Sequence, residues 1–387
     1  MPNIGELSLT SVAEFDFRLL IKALGKGEKG SRSLSFAEAS LLIQGFAQAK
    51  VTPVQMASAM MLMRVRGETV AEVAGVVAGL RHCIDTGWSQ LSVEIDWPVY
   101  AGKREQLPWL LLVAKLLANN GVRVLLHGDS QALPHRRHVE SCIDSLDIVR
   151  CKDPLTAKSE LDRSGIVYVR AGDLTPVLDA CRQLHQELGL RSLIQTAMRC
   201  INPANAPLSL RSYFHPGIDK IHQGVSQILF EQHSYQPGVV AVFKGLQGET
   251  ELNPRVETSI SIVNGLQSHI AMTTVDIPTL LTAFSGAKVG QAELSEQALA
   301  LLWREVTPFD SNAIKALMSC SMIEQALSSV QATLMAILFL LHYKSEDYGS
   351  NLTVEQLEKL SLQHWSARLL VTDKADLMVN KEWLCAV

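Results

Sequence analysis

Near Trp88 the hydrophobic period of this chain changes, and that change limits the folds open to it. Before it, apolar residues recur every three or four positions, the spacing of one helix face. Phe17–Leu24 is a short amphipathic segment, broken by the glycine- and charge-rich stretch 25–30. Ser35, with Glu38 three residues on, caps a helix running to Gln48, and Thr52-Pro53 opens the next. Met56, Ala59, Met60 and Met63 form an i, i+3, i+4, i+7 stripe, a helix-packing seam. Thr69–Leu80 repeats the pattern after Arg64-Val65-Arg66-Gly67-Glu68-Thr69. Beyond Trp88, Val93–Trp97, Val122–Leu126, Ile166–Val169 and Val239–Phe243 read as strands, with Trp109–Leu117 a buried helix between the first two. Strands alternating with helices predict a mostly parallel sheet covered by helices. Asp310–Ala367 is helical again, and either returns to the first domain or pads the sheet.

The expected fold class is therefore α/β. A small N-terminal helical domain covers residues 1–88, with a helix of the second domain free to return to it. A larger α/β domain with a central mostly parallel sheet and a helical C-terminal region covers 89–387. In such sheets ligands sit beyond the carboxyl ends of the strands, here the loops near Pro98, His127, Ala171 and Gly245.

Composition narrows the function classes. The chain is 47% hydrophobic and 19% charged, which fits a packed protein rather than a disordered one. A net charge of -4 favours neither nucleic acid nor membrane in bulk. Locally the balance reverses: residues 103–138 hold six Lys or Arg against two acids, and residues 181–223 carry a net +3. A basic middle of this kind suits either an anion-binding groove or ordinary solvated faces. The seven cysteines are odd in number and widely spaced, with no zinc spacing. No basic start leads into an apolar signal region, so a reduced cytoplasmic setting is expected. The longest apolar run, Ala332–Leu341, is about half of a bilayer span and reads as a buried helix, with no membrane role. No residue arrangement points to a nucleophile–base pair or a metal site.

Four ordered blocks resemble the anthranilate phosphoribosyltransferase family. They are the helical stretch ending Arg64-Val65-Arg66-Gly67-Glu68-Thr69; Val122-Arg123-Val124-Leu125-Leu126-His127-Gly128; Glu187-Leu188-Gly189-Leu190-Arg191-Ser192 with Asn202-Pro203 and Tyr213-Phe214-His215-Pro216; and Gly245-Leu246-Gln247-Gly248-Glu249-Thr250-Glu251. The resemblance implies a helical domain on an α/β domain and a homodimer through the helical domain. The Met and Ala stripe supports the dimer if it faces outward.

The family's functional positions have changed. Its glycine-rich pyrophosphate loop, which needs close-approaching backbone N–H groups, is Pro98-Val99-Tyr100-Ala101-Gly102-Lys103 here. Its Asn-Ile-Ser-Thr matches Pro108-Trp109-Leu110-Leu111. In Lys-His-Gly-Asn-Arg the lysine is Leu126, the histidine stays as His127, the asparagine is Asp129 and the arginine Ser130. The arginine that holds the anthranilate carboxylate corresponds to His185, and the magnesium-binding Asp-Glu pair to Thr250-Glu251. Together these departures are similar to a divergent branch of the family, non-enzymatic DNA-binding dimers in which Tyr-x-Gly-x-Arg replaces the loop, as Tyr100-Ala101-Gly102-Lys103-Arg104 does here. The implied function is non-specific binding of DNA or RNA through a basic groove, with no cofactor. Its contacts would be Lys103, Arg104, Arg123, Arg136, Arg137, Arg182 and Arg191. His127, Asp129, His185 and Glu251 would mark the vestigial transferase cleft, His127 as a hydrogen-bonded structural residue. The alternative is a glycosyl or phosphoribosyl transferase with an altered acceptor, and only then is magnesium required. The apolar residues 108–111 should plug the former pyrophosphate pocket and leave the basic residues on a wider surface outside it.

Overall fold

Reciprocal side-chain caps set three of the N-terminal helices where the sequence places them. The computed structural model describes residues 12, 14–27, 29–129, 135–266, 270–281, 294–344 and 352–370. Helix α1 is Arg18–Gly25, and α2 is Phe36–Ala47, entered through a reciprocal cap between Ser35 and Glu38. Helix α3, Pro53–Arg66, has the matching cap between Thr52 and Gln55, and α4, Val70–His82, has one between Thr69 and Glu72. A short α5, Thr86–Ser89, leads into the sheet domain. The stripe of Met56, Ala59, Met60 and Met63 is fully buried within the chain. It therefore offers no outward surface for a second copy and lends no support to a dimer.

The sheet begins with β1, Ile95–Val99, followed by α6, Leu110–Asn119, and β2, Val124–Gly128. Next come β3, Val149–Cys151; α7, Pro154–Ser164; β4, Ile166–Arg170; α8, Ala171–Leu174; α9, Pro176–Leu188; and α10, Ile194–Ala197. Strand β5, Leu208–Tyr213, α11, Ile218–Glu231, and β6, Val239–Lys244, complete the parallel part. Strands β7, Thr258–Asn264, and β8, Ala271–Ile277, are added antiparallel. Among the described residues the order is β3-β4-β2-β1-β5-β6-β7-β8. The predicted strands all form. Four strands not foreseen, β3, β5, β7 and β8, are short or mix Ser, Thr and Arg with apolar residues, which hides a strand from a search for apolar runs.

Side chains alternate across the sheet, as a period of two requires. Leu125, Val167, Val169, Val240 and Val242 face a core shared with α1–α4, α9, α10 and α11. Val124, Leu126, Tyr168, Leu210 and Phe243 face the other core, with α6 and the C-terminal helices. Those helices are α12, Gln297–Arg304; α13, Asn312–Lys315; α14, Cys320–Lys344; and α15, Val354–Ala367. By length and composition Cys320–Tyr343 is apolar enough to cross a membrane, but α14 packs on α6, β5, β8 and α15. Of the two placements open for the C-terminal helices, they pad the sheet. The helical layer instead receives α9 against α2 and α3, and α10 and α11 against α4.

Helices α2 and α4 cross closely because α4 carries glycine at the contact. A Cβ on Gly75 would lie 2.2 Å from the Phe36 carbonyl oxygen, and one on Gly79 2.7 Å from that of Ser40. Overpacking typically costs about 1–3 kcal/mol, more than the ~1 kcal/mol that alanine gains over glycine in helix propensity. Gly75→Ala should therefore lower the urea unfolding midpoint at unchanged slope. A midpoint at or above the wild type would mean that the helices lie farther apart.

Candidate functional site

The chain between β1 and α6 is sewn to the turn after β6. Trp97 donates its indole N–H to the Thr250 carbonyl at 2.9 Å, and the Thr250 hydroxyl donates to the Pro98 carbonyl at 2.5 Å. Pro98 has no N–H of its own, and β1 pairs with β5 only at Ile95 and Asp96, before the proline. Beyond it, Gly102 donates its N–H to the Glu249 carboxylate at 2.7 Å and Arg104 its N–H to the Gln247 side chain at 2.9 Å. The first N–H of α6, on Leu110, is taken by the Glu251 carboxylate at 2.7 Å. Loop and helix-start donors of this kind are the groups that bind phosphate, and here two internal carboxylates hold them.

Glu251 is fully buried, and its second oxygen accepts from Lys103, which is also fully buried and reaches the Leu246 carbonyl at 3.1 Å. Burial pushes the Glu251 carboxyl up, against the pull of the Lys103 ammonium. An ammonium thus stands beside the surviving carboxylate of the family's magnesium pair, and the Thr250 hydroxyl is turned to Pro98. These residues do not fit a magnesium ion. No cluster of three metal-ligating side chains occurs among the described residues. Pro108, Trp109, Leu110 and Leu111 are buried beneath the loop, as expected. Each large apolar side chain so buried contributes about 1.5–3 kcal/mol.

His127 sits in a buried polar chain under the loop. Its Nδ1 shares a 2.8 Å hydrogen bond with the Tyr100 hydroxyl, and its Nε2 lies 3.0 Å from Asp96. Asp96 in turn accepts from Ser209 and, at 2.9 Å, from Arg211, whose other nitrogen donates to Tyr235. Burial would raise the Asp96 carboxyl, but His127, Arg211 and Ser209 outweigh it and hold it at about 2. This is the structural role expected for His127.

The proposed basic contacts do not share one surface. Lys103 is interior, contrary to expectation, because its charge is neutralised by Glu251. Arg137 turns toward the C-terminal helices, donating to the Leu294 carbonyl and lying 3.5 Å from Glu296. Arg123 precedes β2 and so lies at the amino end of the sheet, roughly 16 Å along the strand from the ligand edge, paired with Asp162 at 2.5 Å. Arg182 is half-buried between Asp179 at 2.9 Å and Asp129 at 3.7 Å. Asp129 thereby acts as a partner for arginine rather than as an open acid. His185 lies one turn further along α9, half-buried. Ser130 lies outside the described residues.

Arg104, Arg136 and Arg191 do come together, in a cleft of about 400 Å³ between the α3–α4 turn and the carboxyl ends of β1, β5 and β6. Arg64 and Arg199 join them there. Arg104 and Arg191 are exposed, and neither forms an ion pair among the described residues. Arg136 donates to the carbonyls of Ala101, Gly102 and Gln247 at 3.2–3.3 Å. Burial, and then the charges of Arg104 and Arg191, push its guanidinium below the usual arginine range. Glu68 is the acid on the cleft wall, 3.5 Å from Arg64. Phe214, half-exposed, packs edge-on against His215 at the rim. His222, also bounding the cleft, is fully buried with neither ring nitrogen hydrogen-bonded among the described residues. Sequence reasoning passed over Arg64, Glu249 and His222. The acid at 249, where the family motif has leucine, was a readable sign.

Removing one partner of a buried ion pair costs about 3–5 kcal/mol, because the other charge is left unpaired. Lys103→Met should lose that much in chemical denaturation, and Lys103→Met/Glu251→Gln, which keeps an acceptor for Leu110, should recover most of it. Additive losses would show that the two side chains are not coupled.

Known proteins share features of the sequence and the fold. Residues 18–83 match the helical bundle domain of a glycosyl transferase family. The chain is 26% identical over 254 residues to the Escherichia coli (strain K12) protein YbiB, covering 64% of this chain and 77% of that one. It is 27% identical over 205 residues to the anthranilate phosphoribosyltransferase of Anaeromyxobacter sp. (strain Fw109-5), covering 52% and 60% respectively. In fold it is similar to the anthranilate phosphoribosyltransferase of Thermus thermophilus, with a TM-score of 0.63 at 18% identity over 94% of this chain and 98% of that one. The Saccharomyces cerevisiae enzyme in complex with 4-fluoroanthranilate gives 0.66 at 10% identity, over 97% and 99%. Matched helical bundle, sequence relatives and shared fold agree: the chain resembles the anthranilate phosphoribosyltransferase family in sequence and has its fold.

Proposed function

We propose that this chain no longer carries out phosphoribosyl transfer and instead binds nucleic acid, without sequence preference, along the arginine-lined cleft. The observation that carries this reading is the division of the anion-binding groups. The donors of the old cradle, on Gly102 and Leu110, are held by Glu249 and Glu251, whereas Arg104, Arg136, Arg191 and Arg199 open onto one cleft. Preorganised donors are commonly the largest catalytic term, each worth roughly 10²–10³-fold, so a cradle closed by carboxylates is a poor catalyst for a pyrophosphate leaving group. Backbone phosphates need only fixed cations and an open path. Phe214 adds a half-exposed ring on which a base can stack. A local cluster of this kind serves an acidic protein because screening confines the effect of distant charge to about 8–10 Å at physiological salt.

The remaining sequence alternative, a transferase with an altered acceptor, would use His185 and Asp129. The pairing of Asp129 with Arg182 weighs against it. Incubation with phosphoribosyl pyrophosphate, magnesium and candidate acceptors separates the two readings, with pyrophosphate released only by a transferase.

In a fluorescence assay at low salt, an oligonucleotide should bind and then weaken steeply as salt rises. Each phosphate contact gives a slope of about -0.9 on duplex DNA and about -0.7 on a single strand. Arg104→Gln and Arg191→Gln should each reduce the slope by about one contact, while Arg123→Gln leaves it unchanged. No binding at about 50 μM protein, within the usual range for non-specific complexes, would overturn the reading.

The homodimer belongs to the same proposal, with its surface moved. Leu19, Ile21, Met61 and Leu62 of α1 and α3 line an apolar groove of about 850 Å³ on the helical domain, and we place the second copy there. Light scattering should give twice the 42.5 kDa chain mass, and Leu62→Glu should shift it to the monomer. A wild-type monomer at micromolar concentration would remove the dimer. The compartment this reading implies is the cytoplasm, in keeping with six unpaired thiols among the described residues.

A further inference from the structure

His222 needs an explanation that the fold does not supply. It is fully buried in α11, and both ring nitrogens lack a hydrogen-bond partner among the described residues. Leaving a buried polar group unmet is destabilising. His222 is among the residues that bound the arginine cleft, with the Arg199 charge close by. Arg199 is half-buried, stacks 5.8 Å from the Tyr100 ring centre and donates to the Gln195 carbonyl at 2.6 Å. The exposed Arg191 and the three-carbonyl anchor of Arg136 complete the walls.

From this arrangement we propose that Arg191, Arg199 and His222, with Arg136 at the side, form a seat for one phosphate monoester. A monoester suits it better than a backbone diester for a geometric reason. It presents three terminal oxygens and a charge of about -1.5 to -2 to the clustered cations, whereas a diester offers two such oxygens and must let the chain leave on both sides. Arginine binds such a group through paired N–H donors. Burial, and then the charges of Arg199 and Arg211, hold the His222 ring down at about 3. The imidazole is therefore neutral at physiological pH and offers one N–H to a phosphate oxygen and one bare nitrogen to a phosphate hydroxyl or sugar hydroxyl. A cleft of about 400 Å³ has room for a phosphate with one nucleoside, whose base would lie toward Phe214. The source of the monoester is either the phosphorylated end of a nucleic acid or a free phosphorylated small molecule. The first source rests on the function proposed above, and the second does not.

The test compares two oligonucleotides of one sequence, with a 5′-phosphate and with a 5′-hydroxyl, together with adenosine 5′-monophosphate and inorganic phosphate. A charge-assisted hydrogen bond contributes about 1.5–3 kcal/mol, so the phosphorylated strand should bind roughly tenfold tighter or more. Arg199→Gln should abolish that preference, and Arg104→Gln should weaken both strands equally. Since Arg199→Gln could disturb folding, the ring nitrogens of His222 should also shift in the wild-type NMR spectrum when inorganic phosphate is added. Equal binding of the two strands, with no His222 shift, overturns the seat and leaves nucleic-acid binding standing. Binding of adenosine 5′-monophosphate with loss of both strands keeps the seat and overturns the nucleic-acid reading. Silence from all four probes overturns both.

Discussion

The contact between the loop after β1 and the carboxylates of Glu249 and Glu251 organises the ligand-facing edge of this protein. Glu251 joins the N-terminus of α6 to the buried ammonium of Lys103, and Glu249 closes on the Gly102 N–H. The loop, the helix start and the turn after β6 become one unit held by charge. The price of burying two acids and a lysine is high unless every charge is paired. Glu251 is paired with Lys103, and Glu249 is met instead by the N–H groups of Gly102 and Thr250, so the three groups are satisfied within the loop and its turn. A loop fixed in this way cannot open to receive a diphosphate without exposing three charged groups to unmet demands.

The same arrangement accounts for the cleft beside it. With the inner donors taken, the cations that are left for a ligand are the ones the loop cannot reach: Arg104 on its outer side, Arg136 across it, and Arg191 and Arg199 on the segment before β5. Burial, and after it the charges of Arg104 and Arg191, depress the guanidinium of Arg136, and an anion bound among them would offset that repulsion. The net charge of the chain does not enter, since charges beyond a Debye length are largely screened. A basic site on an acidic protein is therefore a matter of local geometry.

Much of the fold was legible in the sequence because it follows from local rules. The caps at Ser35, Thr52 and Thr69 and the apolar strand runs each act over a few residues, and each formed as read. The site was less legible because its pairings are remote. Lys103 looks like a surface cation until Glu251, 148 positions away, is brought beside it. Arg137 and Arg123 belong to the same basic stretch in sequence, yet a strand carries Arg123 to the far edge and a bridge to Lys103 turns Arg137 outward. Charge counts along a chain do not record which end of a strand a residue occupies. The methionine stripe is the packing seam its spacing predicts, but its use as support for a dimer failed, because α1, α2 and the distant α9 pack against α3 and the stripe is buried within the chain.

The central claim is that internal carboxylates fill the family's phosphate cradle. A crystal structure of the protein soaked in pyrophosphate and magnesium tests it most directly. Glu249 should remain on the Gly102 N–H and Glu251 between Lys103 and Leu110, with any bound anion among Arg136, Arg191 and Arg199. Pyrophosphate seated on the Gly102 and Leu110 N–H groups, with Glu249 swung away and magnesium on Glu251, would contradict it.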